Sequence, residues 1–142
     1  MKHIFTIIAL SLCVILNTAC TKEDEADAFV GTYSVSTIEN VVYGGNSGTL
    51  TNSGMLLISK VSANRVKTSG YFETYGEVVG SSVYFESYYA SDAYGYFTAV
   101  FGVGTLNGNV LTFSCTMSGK LGENGVLYPF TSTCQHTCIK QQ

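Results

Sequence analysis

The chain has 142 residues, enough for one domain of ordinary size, and its seven Lys and Arg against ten Asp and Glu give a net charge of −3. This balance excludes a nucleic-acid-binding protein that relies on a basic face, because such a face needs clustered Lys and Arg. Ten tyrosines, eight phenylalanines and a single proline favour a β-rich fold, since aromatic residues are enriched in strands.

The N-terminal segment has the composition of a signal peptide. A basic start, Met1-Lys2-His3, precedes a 13-residue apolar run from Ile4 to Leu16. That run is too short to span a bilayer, which takes about 20 residues. The small residues Thr18 and Ala19 follow it, as at a signal-peptidase cleavage site. We therefore expect residues 1–19 to be a helical signal peptide that is cleaved after Ala19 during export.

The residue after the expected cleavage site is Cys20, and the segment Leu16-Asn17-Thr18-Ala19-Cys20 resembles the lipobox of bacterial lipoproteins. The resemblance implies cleavage before Cys20 and attachment of diacylglycerol to its thiol. Asn17 stands where lipoboxes usually have Leu, so cleavage by the ordinary signal peptidase without lipidation is the alternative. A triacylated cysteine would hold the protein on a membrane without spanning it, because each buried CH₂ contributes about 0.8 kcal/mol.

An acidic segment follows Cys20, and its part Lys22-Glu23-Asp24-Glu25 resembles the surface-export signal of Bacteroidetes lipoproteins. The resemblance implies an outer-membrane protein whose domain faces the cell exterior. The alternative is an ordinary solvated tether on an anchor that faces the periplasm. Residues 20–27 have a net charge of −3, whereas residues 28–142 have a net charge of only −1. We expect residues 20–27 to be a tether and residues 28–142 to be a single domain.

From Phe29 onward, apolar and polar residues alternate in short runs separated by turn residues. Residues 111–118 are the clearest case, because Leu, Phe, Cys and Met alternate there with Thr and Ser. A period of two is typical of half-buried strands, and no window after Cys20 has the spacing of a long helix. We expect seven to nine antiparallel strands. We also expect the interior that they enclose to be packed with side chains at one end at least, with at most a small pocket. The large residues expected to fill that lumen are Phe29, Tyr33, Phe72, Phe85, Phe97, Phe101, Phe113 and Phe130.

The turn at Asn107-Gly108-Asn109 decides the register of two of these strands. A two-residue turn at Asn107 and Gly108 would place the apolar Val103 opposite a polar residue. A three-residue loop would instead place Val103 opposite Phe113 and Phe101 opposite Cys115. Because paired residues of antiparallel strands share a face, we predict the three-residue loop, with a left-handed residue within it and Val103 facing inward.

A meander of about eight strands is expected to close into a barrel or to pack as a β-sandwich, because both arrangements remove exposed edges. The first strand, Phe29-Val30-Gly31-Thr32-Tyr33, resembles the entry strand of lipocalin-like proteins, with Tyr33 where their Gly-x-Trp motif has Trp. The resemblance implies an all-β, lipocalin-like barrel whose lumen carries a small apolar or amphipathic ligand. The β-sandwich is the alternative.

Few residues could support catalysis or bind a metal. After signal cleavage His136 is the single histidine, and Asp92 is the single aspartate of residues 28–142. No candidate nucleophile has a base nearby in the sequence, so we expect no enzyme and no cofactor. Cys134 and Cys138 flank His136, but an extended strand, at about 3.3 Å per residue, would hold the three side chains too far apart for a tetrahedral metal site.

Three cysteines remain in the expected domain, an odd number for a protein exported to an oxidising compartment. Cys115 lies on the apolar side of its strand and is predicted to be buried and unreactive. Cys134 and Cys138 form the candidate disulfide, on the condition that the strand breaks between them. Without a break, Cα atoms four residues apart lie about 13 Å from each other, beyond the reach of a disulfide.

Four tyrosines fall on the polar side of their strands and are predicted to face solvent: Tyr84, Tyr88, Tyr94 and Tyr96. Tyrosine combines flat apolar area with a hydrogen-bonding tip, which suits a glycan or a protein partner. The sequence therefore predicts a lipid-anchored binding module on the cell surface that uses this tyrosine face. The alternative is a carrier of a small apolar ligand in the barrel lumen, and no nucleic-acid partner is expected.

Overall fold

The computed structural model describes residues 24–123 and 125–142. The expected signal peptide, its cleavage site at Ala19, the expected lipidation site Cys20 and the first export-signal residues, Lys22 and Glu23, lie outside these ranges. The described chain is all-β, as predicted, with antiparallel strands in one sheet. Within the same ranges, no helix is long and apolar enough to cross a membrane. The elements are a 3-10 turn η1 (Glu25–Ala28) and strands β1 (Gly31–Tyr43), β2 (Asn46–Ser62), β3 (Arg65–Gly70), β4 (Tyr75–Val79), β5 (Ser82–Phe85), β6 (Tyr88–Asp92), β7 (Gly95–Phe101), β8 (Gly104–Asn107), β9 (Val110–Glu123) and β10 (Val126–Lys140).

Eight of the strands follow one another around a ring of hydrogen-bonded antiparallel pairs. The order is β1-β2-β3-β4-β5-β8-β9-β10, and β10 pairs again with β1. The remaining two strands extend the sheet, because β7 pairs with β9 beyond the end of β8, and β6 pairs with β7. The prediction of an antiparallel meander is therefore confirmed for the described chain.

Two interruptions lie opposite each other, between β5 and β6 and between β7 and β8. Val83 pairs with Gly104 on one side of the interruptions, and Tyr88 pairs with Ala99 on the other. Each chain segment moves by five residues from the first pair to the second, so the register between them is unchanged across the interruptions. β5 with β6, and β7 with β8, therefore behave as two long strands that are each broken once. Counted in this way the chain makes about eight passes, as the alternation predicted.

The interruptions reverse the alternation of side chains, and this overturns two predictions. Phe85 and Tyr88 are three residues apart but both face inward, and Phe101 and Gly104 repeat this pattern on the neighbouring strand. Val103, expected inside, is consequently 50% exposed, and Tyr88, expected outside, packs against the core. A period of two predicts faces only within an unbroken run, so it fails where the backbone leaves the ladder.

The hairpin between β8 and β9 also differs from the predicted one. Asn107 pairs with Val110, so the turn has two residues, Gly108 and Asn109, rather than three. Gly108 has a φ of +60°, which is the left-handed conformation that the prediction required. The predicted pairing of Phe101 with Cys115 is nevertheless present, because the interruption before β8 adds one residue to that side of the ladder.

The ring is complete over only part of its height. β3 and β4 have six and five residues, whereas β1, β2, β9 and β10 have 13 to 17. β3 pairs with β2 only from Leu56 onward, and the preceding part of β2 has no second strand beside it in the described chain. Beyond the ring, β2, β1, β10, β9, β7 and β6 continue as a sheet with two free edges. We call these two parts the closed end and the open sheet.

Residues 24–27, which the sequence assigned to a solvated tether, pack onto the closed end. Ala26 is fully buried, and its N–H donates to a carbonyl of the β2–β3 turn at 3.0 Å. Lys60 donates a hydrogen bond to the Asp24 carboxylate, and the Glu25 carboxylate accepts a backbone N–H of the β4–β5 turn. Two residues of the predicted export signal, Asp24 and Glu25, thus contact the folded domain.

Aromatic rings fill the interior of the closed end, as the large inward residues predicted. Phe72, Phe85, Phe101 and Phe113 lie with neighbouring ring centroids 5.1 to 6.2 Å apart, mostly edge to face. Tyr33 is fully buried in the same core, and its hydroxyl donates to a backbone carbonyl at 2.8 Å. Edge-to-face contacts of this kind stabilise a core beyond the burial of apolar area.

Candidate ligand-binding cavity

A cavity of about 220 Å³ lies where the aromatic core meets the open sheet. Five adjacent strands, β1, β10, β9, β7 and β6, supply most of its wall, and the chain between β3 and β4 supplies the rest. The volume is below the roughly 300–1,000 Å³ of sites for drug-sized ligands, so a smaller molecule would fit. Ten residues line the cavity: Thr37, Glu39, Tyr71, Phe72, Tyr88, Phe101, Cys115, Met117, Cys134 and His136.

The strand register aligns several of these side chains in a row across the sheet. Glu39 lies opposite Cys134, Cys134 lies opposite Cys115, and Cys115 lies opposite Phe101. Every second residue of a strand faces the same side of a sheet. The alternation that builds the core therefore also directs these four side chains into one space.

Hydrogen bonds link Tyr71, Thr37 and His136 in the cavity wall. The Tyr71 hydroxyl donates to Thr37 Oγ1 at 2.9 Å, and Thr37 Oγ1 shares a second hydrogen bond, of 2.7 Å, with His136 Nδ1, whose direction depends on the imidazole tautomer. Burial lowers the pKa of His136, so the imidazole is neutral at pH 7. His136 can therefore offer an uncharged hydrogen-bonding group to a molecule in the cavity.

Glu39 is the one charged side chain among the ten that line the cavity. Its Oε1 accepts a hydrogen bond from the Ser132 hydroxyl at 2.5 Å, and its Oε2 accepts one from the Asn52 amide at 3.4 Å. Both donors are neutral, so they orient the carboxylate without compensating its charge. After burial itself, the negative charge of Glu39 also contributes to the raised pKa of the Cys134 thiol.

Cys115 and Cys134 face the cavity, whereas Cys138 is fully buried in the core, and all three are free thiols. The condition for the candidate disulfide between Cys134 and Cys138 is not met, because β10 runs unbroken through both residues and keeps their Cα atoms about 13 Å apart. Cys115 is buried as predicted, and burial raises its pKa to about 12. Nucleophilic attack requires a thiolate, which this thiol does not form at neutral pH.

Cys134, His136 and Cys138 occupy alternate positions of one unbroken strand, with about 6.6 Å between successive members. This spacing is too wide for three ligands of one metal ion. Among residues 24–123 and 125–142, no group of three or more His, Cys, Asp or Glu side chains could hold a metal ion. The cavity therefore offers hydrogen-bonding groups, one negative charge and apolar surface.

The four tyrosines predicted to form a binding surface do not lie together. Tyr84, Tyr94 and Tyr96 are exposed, but Tyr88 lies in the cavity wall against two phenylalanine rings. Tyr96 pairs with Ser91, which lies seven residue steps beyond Tyr84, or about 23 Å along the sheet. Tyr89 lies beside Tyr96 instead, with ring centroids 6.3 Å apart.

The polar residues of the cavity were not recognised as a site from the sequence, although a signal for them was present. Thr37 and Glu39 continue the inward alternation of β1, and His136 continues that of β10. A polar or charged side chain at a core position is costly unless it has a partner, so such a position indicates a site. Phe72 faces inward, as predicted, and Tyr71 beside it also lines the cavity, because both belong to the chain between β3 and β4, where side chains need not alternate.

Comparisons of the chain with models of known families, with curated proteins and with solved structures find no match.

Proposed function

We propose that this protein is a lipid-anchored, lipocalin-like binding protein that holds a small amphipathic cation in its cavity. The observation that carries the proposal is a single carboxylate, Glu39, in a wall of aromatic rings and sulfur-containing side chains. Ligand sites are typically concave and mostly apolar, with a few polar groups that fix orientation. In this proposal the ring of eight strands is a barrel of lipocalin type, with one end filled by side chains and the other open to a ligand.

The charge of the ligand is inferred from Glu39. A partly buried carboxylate attracts an ammonium group more strongly than one on an open surface, because less water screens the interaction. Phe72, Phe101 and Tyr88 present aromatic rings to the same space, and ring faces also attract cations. Neutral His136 adds a hydrogen-bonding group without a competing positive charge.

The size of the ligand is inferred from the cavity and from the surface beside it. A volume of about 220 Å³ corresponds to about seven water molecules, so the cavity suits a molecule with one ring. Leu50 and Tyr43 continue the inward side of the open sheet and are 52% and 37% exposed, and the buried Phe130 lies opposite Tyr43. A longer apolar tail would extend along these residues.

The orientation on the membrane is inferred from the N-terminal segment. Four residue steps separate Cys20 from Asp24, a span of at most about 14 Å when fully extended. Because Asp24 and η1 pack on the closed end, lipidation of Cys20 would hold that end close to the outer membrane. The open sheet and its cavity would then face away from the membrane, which supports uptake of a ligand from the cell exterior.

Calorimetric titration with three compounds of similar size and different charge tests the proposal. The compounds are phenethylamine, phenethyl alcohol and phenylacetate, and the protein is the processed form purified in detergent. We expect phenethylamine to bind at least about tenfold more tightly than the alcohol, because a hydrogen bond to a charged group contributes about 1.5–3 kcal/mol. Phenylacetate should bind most weakly, because its charge is repelled by Glu39.

Two variants separate the role of Glu39 from a general effect of negative charge. Glu39→Gln should abolish the preference for the amine over the alcohol. Glu77→Gln removes an exposed carboxylate from β4, outside the cavity, and should leave the preference unchanged. Equal affinity for all three compounds, or an unchanged preference in Glu39→Gln, would contradict the proposal. Native mass spectrometry of the purified protein would then identify any ligand of another class.

A second candidate function is the binding of a glycan or a protein by the β6–β7 hairpin. Tyr89 and Tyr96 form a tilted pair on its outer side, and Tyr94 in its turn is 67% exposed. Flat aromatic area with hydroxyl tips suits such partners. Replacing Tyr89 and Tyr96 by Ser should leave the melting temperature unchanged and reduce retention on a glycan array. Undiminished retention by the variant would refute this candidate.

A further inference from the structure

Cys115 on β9 and Cys134 on β10 are directly opposed in the antiparallel ladder. The N–H of Lys140 donates to the carbonyl of Asn109 at 2.8 Å, so these two residues mark a hydrogen-bonded position of the same ladder. Hydrogen-bonded pairs recur at every second residue, so Cys115 and Cys134 also form one, with Cα atoms about 5.5 Å apart. Disulfides span Cα separations of about 4.4–6.8 Å. The Cα separation therefore falls within the range that disulfides span, and closure requires the two strands to approach slightly, because Cβ atoms are farther apart at hydrogen-bonded pairs than at the other pairs of a ladder.

The directions of the side chains agree with this distance. Cys115 and Cys134 are 4% and 3% exposed, and both face the cavity side of the sheet. After burial itself, the neighbouring Cys134 thiol also contributes to the raised pKa of Cys115. Cys138 cannot form a disulfide with either of them. It lies opposite Leu111 in the core and four residues from Cys134 on an unbroken strand.

We propose that Cys115 and Cys134 form a disulfide in the mature protein and that Cys138 remains a thiol. Formation breaks two S–H bonds, makes one S–S bond and releases two electrons and two protons. The oxidant is a protein disulfide of the compartment outside the inner membrane, and it is reduced to two thiols by exchange. The proposal depends on the proposed export only for this oxidant, and the geometry of the pair is independent of any ligand.

The bond forms during folding. In the folded protein both thiols are buried and their pKa values are raised, so the thiolate that starts the exchange is scarce. In the unfolded chain both thiols are accessible and have ordinary pKa values. Once formed, the bond is shielded by the same burial from reductants. It joins β9 to β10 in the row that contains Glu39, and so fixes one wall of the cavity.

Refolding in a redox buffer followed by peptide mapping tests the proposal. The processed full-length protein is reduced and unfolded in guanidinium, then refolded in detergent with reduced and oxidised glutathione, alkylated and digested. Trypsin cleaves after Lys67, Lys120 and Lys140, so a bridge between Cys115 and Cys134 joins peptide 68–120 to peptide 121–140. A bridge between Cys134 and Cys138 would instead remain within the second peptide. We expect the joined pair and an alkylated Cys138.

Three single variants and one order-of-addition experiment complete the test. Cys138→Ser should retain the joined peptides, whereas Cys115→Ser and Cys134→Ser should lose them. Oxidised glutathione added to the folded, reduced protein should produce the bridge at least about tenfold more slowly than refolding does. Three alkylated cysteines in refolded wild-type protein, or a link that persists in Cys134→Ser, would overturn the proposal.

The wild-type protein also provides a readout that needs no variant. A disulfide that closes a loop of about 20 residues should raise the melting temperature by about 10 °C over the reduced protein. An unchanged melting temperature in a sample with the joined peptides would overturn the inferred clamp between β9 and β10. Phenethylamine binding is measured on both redox forms. Binding without a bridge leaves the proposed function in place, and a bridge without binding leaves the disulfide in place.

Discussion

Tyr88→Ala should destabilise the protein by about 2–3 kcal/mol, whereas Tyr84→Ala should change its stability by less than about 0.5 kcal/mol. The two tyrosines are four residues apart and were both assigned to the solvent face by alternation. In the structure the Tyr88 ring lies in the cavity wall, with its centroid 6.0 and 6.1 Å from those of Phe97 and Phe101. The Tyr84 side chain is 50% exposed.

The magnitude for Tyr88 follows from its partial burial and its aromatic contacts. Replacing a fully buried aromatic residue by alanine costs about 3–5 kcal/mol, and Tyr88 is only partly buried. Each aromatic pair contributes about 0.5–1.5 kcal/mol beyond the burial of area, and Tyr88 belongs to two such pairs. A destabilisation of about 2–3 kcal/mol is therefore expected.

Thermal unfolding followed by circular dichroism measures the difference. At about 4 °C per kcal/mol for a domain of this size, Tyr88→Ala should lower the melting temperature by about 8–12 °C and Tyr84→Ala by less than about 2 °C. Tyr88→Phe keeps the ring and serves as the control, because it should lose much less stability than Tyr88→Ala. Equal, small shifts for both alanine variants would refute the inward orientation of Tyr88 and the reversal of alternation after β5.

Three further predictions concern pH and the membrane anchor. Burial lowers the pKa of His136, so the stability that depends on its neutral form is present above about pH 6.5 and should be lost as the pH falls below that value. His136→Gln should flatten this dependence in melting temperatures measured from about pH 7.5 to pH 5, and an unchanged slope would contradict the prediction. Burial raises the pKa of Tyr33 and of Cys138 to about 12, so stability present below about pH 9 should be lost progressively toward pH 12, as a fall in the guanidinium midpoint. A midpoint that stays constant through this range would show that neither proton is held more tightly in the folded state. Cys20→Ser should move the protein from the membrane pellet to the soluble fraction, because the acyl chains are its proposed anchor. Retention in the pellet, with no acyl mass on the wild-type N-terminal peptide, would rule out lipidation.

The alternation of the sequence was sufficient to predict the all-β class, the meander and the inward face of β9. Leu111, Phe113 and Cys115 are buried, as their spacing predicted, while the Thr and Ser residues between them face the other side. The left-handed residue in the β8–β9 turn was predicted as well, because only a few residue types adopt that conformation readily. These features are local, since side chains in a strand alternate whatever lies beside it.

The tertiary structure alone decided which residues meet. Two interruptions that face each other turned Tyr88 inward, and the closed end received Ala26 from a segment with the composition of a tether. Cys115 gained Cys134 as its partner only through the register of β9 with β10, which a one-residue shift would have changed. Cross-strand pairing depends on contacts between distant parts of the chain, whereas a period of two describes each strand by itself. The cavity, its carboxylate and its pair of thiols arise from that pairing.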